Sequence, residues 1–462
     1  MNRGLDMQES QRADRRIPAA IFALCSVLWL ATVASWWPGI MTWDAEVQYG
    51  QALSGEYTDW HPPIMSRLWA LFLPFVHGSA PIFLIHVVLY WSFIALIANA
   101  LAKIERVRGA FATIAIAALP PFFAFNGVIF SDVGMAISFL GIFALAFHYR
   151  SRSLPIPLIA YVAIGVLLFY GCLVRINGVF AAAPLIVYVF WPSLRTSFWK
   201  LPLALGAIVV LWIPLTGVIN ANLLGAKREY AMRSLRIYDI VGIAAYSGDM
   251  RVFSYNPQIT PKLIDQCYSP NQWDAIYKGD CAKIGYLSGG VWIKQIVTHP
   301  VAYGMHRLAH LNSEVYAIAP VVEDRYTFKS KYPDLQRNRL ERLNASLLTA
   351  STNFVIFAPA LTFVLAIAIL LLSFFRNNLQ RAALSDAAFY SALASVAYTS
   401  AFVVVGVASE YRYEQFPMLA ALLSLVFYLG ARPAGRWSIN ERLAMVAVAA
   451  TAAVLIGARL ML

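Results

Sequence analysis

Apolar runs of about 18 to 25 residues recur along most of this chain, and each is long enough to cross a bilayer as a helix. A β-barrel would show short segments of alternating hydropathy instead. Sixty per cent of the residues are hydrophobic and 13% are charged, against about a quarter charged in a typical soluble chain. The expected fold is an all-α polytopic membrane protein with about eleven transmembrane helices. The runs lie near residues 17–37, 81–103, 111–128, 132–148, 155–173, 179–191, 201–220, 354–375, 387–407, 417–429 and 443–462.

Charge predicts the orientation. One set of loops carries Arg3, Arg12, Arg15, Arg16, Lys103, Arg106, Arg108, Arg150, Arg152, Arg195, Lys200, Arg376, Arg381, Arg432, Arg436 and Arg442. The opposite short loops hold little beyond Arg67, Arg175 and Arg412. Basic residues concentrate on the cytoplasmic side, so the N-terminus is expected there and the C-terminus outside. The expected location is the inner membrane of a bacterium. The net charge of +12 then reflects topology and contact with lipid headgroups. The basic residues are scattered among short loops without forming a stripe, so no nucleic-acid partner is expected. The first run competes with a cleaved signal peptide, but its length and Trp36-Trp37 at its end favour a retained span with an interfacial belt.

Three parts are expected: a bundle over residues 1–220, a polar mixed segment over 221–350, and a further group of spans over 351–462. The middle segment is too charged to span and too aromatic to be disordered. It reads as a small helical extracytoplasmic domain with interfacial helices, and opens with Lys227, Arg228, Arg233 and Arg236 at helix-like spacing. Its Cys267 and Cys281 are expected to pair, because disulfides persist outside the cytoplasm. Cys25 and Cys172 fall inside spans and read as packing residues.

The first large loop, 38–80, holds a short helix from Asp44 to about Leu53, ended at Gly55. A second helix is expected over 63–73, begun by Pro63 and stopped by Pro74. Its stripe of Met65, Leu68, Trp69 and Phe72 has helical spacing and predicts a helix lying along the membrane interface.

Ionisable residues stand out at the ends of these spans, where an acid or base is costly and marks function. Asp44 is the candidate general base: transfer to a hydroxyl needs a carboxylate that takes the proton. A low-dielectric boundary is expected to raise its pKa. The competing role is an N-cap for the short helix. Glu46, two residues on, diverges from it in a helix and stands as a substrate-binding candidate. Asp132 is a second acid, either supporting the site or capping its own helix. A divalent cation shared by Asp44 and Asp132 is conceivable, since hard cations take such oxygens, but no DxD-like spacing supports it and no metal ligand is assigned. Arg175 and Arg412 match phosphate oxygens as forked donors; the alternative is pairing with Glu410, Glu414 or Asp132. His61, in Trp60-His61-Pro62-Pro63, can hydrogen-bond an acceptor or help to place Asp44. Trp43, Tyr49, Tyr57 and Trp60 can stack on a ligand or sit in an interfacial belt. His299, His306, Arg307 and His310 read as surface or packing residues.

A basic N-terminus, one span, then a loop with Asp44 and His61-Pro62-Pro63, and Asp132 in the next loop: this pattern resembles the GT-C glycosyltransferases. Arg412 between Tyr411 and Tyr413 is similar to the arginine-tyrosine stretches such enzymes carry in a late outer loop. Relatives include protein O-mannosyltransferases and the aminoarabinose transferase of lipid A. The resemblance is best over 1–220. It implies a polyprenyl-phosphate-linked sugar as donor and a cell-envelope glycan, glycolipid or protein hydroxyl as acceptor. It also implies an active site on the periplasmic face, Asp44 as base with Asp132 in support, arginines on the carrier phosphate, and inversion at the anomeric carbon. The sequence shows no counterpart of the bulky soluble C-terminal domain of the oligosaccharyltransferases, and it departs from the family's usual pattern in the neighbours of Asp132. Two other classes compete: an envelope polysaccharide polymerase or ligase, and a lipid-linked sugar transporter or flippase. The latter predicts polar residues at mid-membrane.

Overall fold

The computed structural model describes residues 2–461 apart from 320–331, 333–339, 376–381, 434 and 436. Arg376, Arg381 and Arg436 therefore lie outside the described residues, as does part of the expected middle segment. Seven described helices are long and apolar enough to cross a membrane: Arg16–Trp36, Ala80–Lys103, Ser131–Arg150, Lys200–Leu223, Ala382–Val405, Tyr411–Ala431 and Ile439–Ala458. Four shorter apolar helices, Val107–Ala117, Leu158–Val174, Ile176–Phe190 and Pro359–Phe374, occupy the remaining runs. The architecture is that of an all-α membrane protein. The run at 111–128 is not one continuous helix: Pro120 and Pro121 start a separate short helix, Pro120–Phe125. Proline lacks the amide that would continue the preceding helix.

Burial orders the bundle. The apolar window of Ser131–Arg150 is 89% buried, whereas those of Arg16–Trp36, Lys200–Leu223 and Ile439–Ala458 are 17%, 6% and 11% buried. The 131–150 helix is thus the central post, and the other three are peripheral with their apolar sides turned outward. Around the post, Phe143 and Phe147 meet Phe427 at 5.2 and 4.8 Å between ring centroids, and Phe143 stacks on Tyr188. Such aromatic contacts add to simple area burial. Close approach is permitted by Gly141 and Gly171, where an added Cβ would stand 2.5 Å from Phe93 and 2.8 Å from Phe139. Small residues at helix crossings are the usual means of tight packing in lipid.

The first loop forms Trp43–Ser54, closed by Gly55 in the left-handed region at φ 71°, a conformation that suits glycine. The next helix is shorter than expected, Ile64–Ala70. Met65 and Trp69 on it are fully buried, so this part of its stripe packs into the protein, while Leu68 and Phe72 stay half-exposed. Helical periodicity reports an apolar face; it does not say whether lipid or protein covers it.

The middle segment has a core of its own, built on Ile237, Ile240, Val241, Phe253, Ile264 and Ile284. Its helices are Met232–Ser247, Pro261–Cys267, Gly289–Thr298 and Pro300–Glu314. The basic quartet is not a single helical face: Lys227 is in a two-residue strand, and only Arg233 and Arg236 lie on the helix. That strand, Ala226–Lys227, pairs in parallel with Tyr57–Thr58 and so stitches the segment to the first loop. Arg67 Nε and Nη2 donate to Leu224 O at 3.2 and 2.9 Å, with the guanidinium 3.9 Å over the Tyr57 ring. Cys267 and Cys281 are bonded, and Cys25 and Cys172 are free and buried. Both bonded cysteines are expected to resist alkylation in intact membranes until a reductant is added. Labelling without reductant would show an open pair.

Candidate functional site

Backbone pairing brings the first loop to the head of the central helix. Ile40 N–H donates to Gly127 O at 2.8 Å and Ile129 N–H donates to Ile40 O at 2.9 Å. Asp44 follows Ile40 by four residues and Asp132 follows Ile129 by three. The pairing therefore sets both acids at one end of the bundle. Gly127 makes room for this, since an added Cβ would collide with the Trp36 ring.

Capping does not occupy either acid. Thr42 is the N-cap of Trp43–Ser54, its side chain accepting from Ala45 N–H at 3.3 Å. No side-chain cap closes the Ser131–Arg150 helix among the described residues. Each carboxylate is left for ion pairing, and each sits in a first helical turn where the dipole favours negative charge.

Four distant segments converge here. Arg412 Nη2 lies 2.8 Å from Asp44 Oδ2 and its Nε 3.6 Å from Asp132 Oδ2, with Glu410 also on Nε. Arg175 Nε donates to Asp132 Oδ1 at 2.6 Å. The ring of Tyr413 lies under both guanidiniums, 4.6 Å from Arg175 and 5.4 Å from Arg412, and Phe130 is 4.3 Å from Arg412. His61 Nε2 stands 4.0 Å from Asp44 Oδ1. Asp132 is fully buried, and Asp44 keeps 22% of its side chain exposed.

The two arginines differ in what they have left to offer. Arg412 is enclosed by Asp44, Asp132 and Glu410 and is 8% exposed. Arg175 spends its Nε on Asp132 and is 23% exposed. Among the described residues its two terminal amino groups make no hydrogen bond, so Arg175 is the freer fork for an anion. The carboxylates of Asp44 and Asp132 both face arginine, which opposes a cation between them. Among the described residues no group of three His, Cys, Asp or Glu side chains is placed to hold a metal.

Asp44 is not the strengthened base expected from its boundary position. Burial does push its pKa up, but Arg412, His61 and Arg175 outweigh it and hold the carboxyl below the ordinary value of 3.8. The group is ionised at neutral pH and well into acid. His61 is held below its ordinary 6.5, by burial first and then by Arg175 and Arg412 against the pull of Asp44. It is neutral at pH 7.

Other expected contacts are redistributed. Tyr49 is fully buried, its ring 5.0 Å from Trp69 and its hydroxyl accepting from Gly78 N–H at 3.0 Å. It packs the loop and cannot stack on a ligand. Tyr57 is buried beneath Arg67. Tyr411 is a core residue as well, stacked on Phe125 and donating to Phe357 O at 2.7 Å. Trp60 packs on Trp273 of the middle segment at 5.3 Å. Trp43 is 59% exposed and meets His61 edge-on, which leaves it the best placed of these aromatics to face a ligand. Glu46 shares the Trp43–Ser54 helix with Asp44 but is buried, so its side chain is closed off from an arriving substrate.

Sequence reasoning missed Glu314. It ends the Pro300–Glu314 helix, is fully buried, and neither of its oxygens has a hydrogen-bond partner among the described residues. Burial, then the neighbouring Glu414 and Glu410, push its pKa well above 4.5. Glu414 is equally buried and accepts from Thr399 Oγ1 at 2.8 Å. The available signal is a lone acid in the apolar stretch Ser313-Glu314-Val315-Tyr316. The folded chain keeps the Glu314 proton that the unfolded chain has released, so stability falls as pH rises above about 4.5. Glu314→Gln is expected to stabilise by about 1–3 kcal/mol at pH 8 and by much less near pH 4.5. Thermal unfolding at the two pH values checks this; an unchanged or lower midpoint at pH 8 contradicts it.

A second polar cluster holds the loop that carries Arg412. Asp239 accepts from Trp292 Nε1 at 2.7 Å, faces His306 Nε2 at 3.2 Å and pairs with Arg307. Arg307 Nη1 donates to Gly406 O at 2.6 Å, and Ser409 N–H donates to Asn271 O at 2.7 Å. Gly406 has no room for a side chain, since a Cβ would collide with His310 Nε2. His306, Arg307 and His310 are buried packing residues of this cluster, and His299 stands 3.1 Å from Asp249.

No protein-family model matches this chain, and no curated protein or solved structure matches it.

Proposed function

We propose that this chain is a GT-C type glycosyltransferase that moves a sugar from a polyprenyl-phosphate carrier to an extracytoplasmic hydroxyl on a cell-envelope glycan, glycolipid or protein. In this reading the seven long and four shorter apolar helices make eleven spans of a bacterial inner membrane. The N-terminus is cytoplasmic and the Asp44 end of the bundle faces the periplasm. The observation that carries the reading is the meeting of Asp44, His61, Asp132, Arg175 and Arg412 at one end of an apolar bundle.

The chemistry divides among these groups. Asp44 takes the proton of the acceptor hydroxyl as the oxygen attacks the anomeric carbon. The bond from that carbon to the carrier phosphate breaks, and its electron pair leaves on a phosphate oxygen. Arg175 faces that oxygen and stabilises the charge. Asp132 fixes the direction of Arg175, and Arg412 fixes Asp44. The site's acids and arginines are at helix beginnings, whereas a transporter would hold such groups near mid-membrane.

Mass spectrometry of envelope glycans, with and without the protein, tests the reading. The expected result is loss of one sugar mass from a glycan or glycolipid. Identical profiles under conditions where the protein is made would overturn it.

A further inference from the structure

His61 Nε2 is a buried nitrogen with no hydrogen-bond partner among the described residues. Buried polar atoms are almost always bonded, and one that is not is commonly reserved for a ligand. It points at Asp44 Oδ1 across 4.0 Å, which is too long for a direct hydrogen bond. The gap suits one oxygen atom: placed about 2.8 Å from each, it can hydrogen-bond both groups at once, with an angle of about 90° between them. No other donor reaches Asp44 Oδ1 among the described residues, because Arg412 is on Oδ2.

We propose that this gap is the seat of the acceptor's nucleophilic hydroxyl, with its O–H donating to Asp44 Oδ1 and the His61 Nε2–H donating to its oxygen. The proposal rests on the hydroxyl-transfer reading above and specifies where that hydroxyl sits. Both hydrogen-bonding roles of the ligand atom are then fixed. It must donate to the carboxylate and accept from the imidazole. An alcohol does both. An ammonium has no lone pair for the imidazole, and a carboxylate has no hydrogen for Asp44. With the proton on Nε2, the seat favours a group that both donates and accepts, as an alcohol does, over an ammonium or a carboxylate ion.

The imidazole is held for this task. Pro62 and Pro63 follow it and are buried, and the Trp43 ring stands edge-on at 6.1 Å. The groups that face it are Asp44, Asp132, Arg175 and Arg412. In the reaction the hydroxyl proton passes to Asp44 Oδ1 while the oxygen lone pair that does not face His61 forms the bond to the anomeric carbon. The leaving pair goes to phosphate near Arg175, and Asp44 returns its proton to water afterwards.

Two measurements on the full chain test the seat. The first is an experimental map of the protein in lipid nanodiscs that resolves ordered water. Density within hydrogen-bond distance of both His61 Nε2 and Asp44 Oδ1 is expected; Nε2 bonded directly to Asp44 or to another protein group would overturn the seat. The second compares His61→Leu and His61→Gln for envelope-glycan modification and for binding of sugar-free polyprenyl phosphate. His61→Leu is expected to lower modification at least about tenfold, with affinity for polyprenyl phosphate within about twofold of wild type. His61→Gln restores an N–H donor and is expected to recover part of the loss. If Asp44→Asn is inactive while His61→Leu works as wild type, the seat alone is wrong. If both variants transfer normally, the seat falls together with Asp44's role as the base; the transferase reading itself falls only if glycan profiles are identical with and without the wild-type protein.

Discussion

Asp44→Asn is expected to abolish sugar transfer while the protein still inserts and accumulates normally. The amide cannot take the hydroxyl's proton, and removing a positioned base costs about 10²–10⁴ in rate. The fold should tolerate the change, because Arg412 keeps Glu410 and Asp132 as partners and the helix keeps Thr42 as its cap. Envelope-glycan mass profiles, read beside the amount of protein in the membrane, provide the measurement. Normal transfer by this variant would remove Asp44 from the chemistry. Since its carboxyl is held below 3.8, wild-type activity should not fall on Asp44's account between pH 7 and pH 5.

Arg175→Ala is the second large effect. Two changes are expected together. Affinity for sugar-free polyprenyl phosphate should drop at least about tenfold, since alanine offers the phosphate no charge-assisted hydrogen bond. Stability should fall by about 3–5 kcal/mol, because Asp132 is left buried without its closest cation. Arg175→Lys separates the two. Its single ammonium can neutralise Asp132 but does not reproduce the fork, so stability should recover more than affinity. Binding isotherms and thermal unfolding on the same preparations read both. Unchanged affinity in both variants would assign Arg175 to structure alone.

The long apolar runs and the odd ionisable residues at their ends are readable in the sequence because both violate an ordinary expectation. A charge at the mouth of a span has to be explained, and Asp44, Asp132, Arg175 and Arg412 meet at one site. What hydropathy and residue type do not encode is direction. Tyr49 and Tyr411 have the right chemistry to stack on a sugar, but their rings turn into the core. Part of the stripe on Ile64–Ala70 faces protein where a lipid surface fits the pattern equally well. Boundary position alone makes Asp44 look like a strengthened base, because its closeness to Arg412 is invisible across hundreds of intervening residues. Glu314 escapes a sequence reading because a single acid at a helix end is ordinary until its burial is known.

The bond between Cys267 and Cys281 encloses the stretch that grips the Arg412 turn, where Asn271 holds Ser409 and Gln272 bridges to Ala408. With the middle segment in the periplasm, as proposed, one of the grips on the turn that carries Arg412 closes only after export and oxidation. A newly made copy still awaiting its cystine would be present in the membrane yet slack at its working end. Preparations made where thiols stay reduced should then contain intact but idle protein, and yield by mass would overstate yield by function.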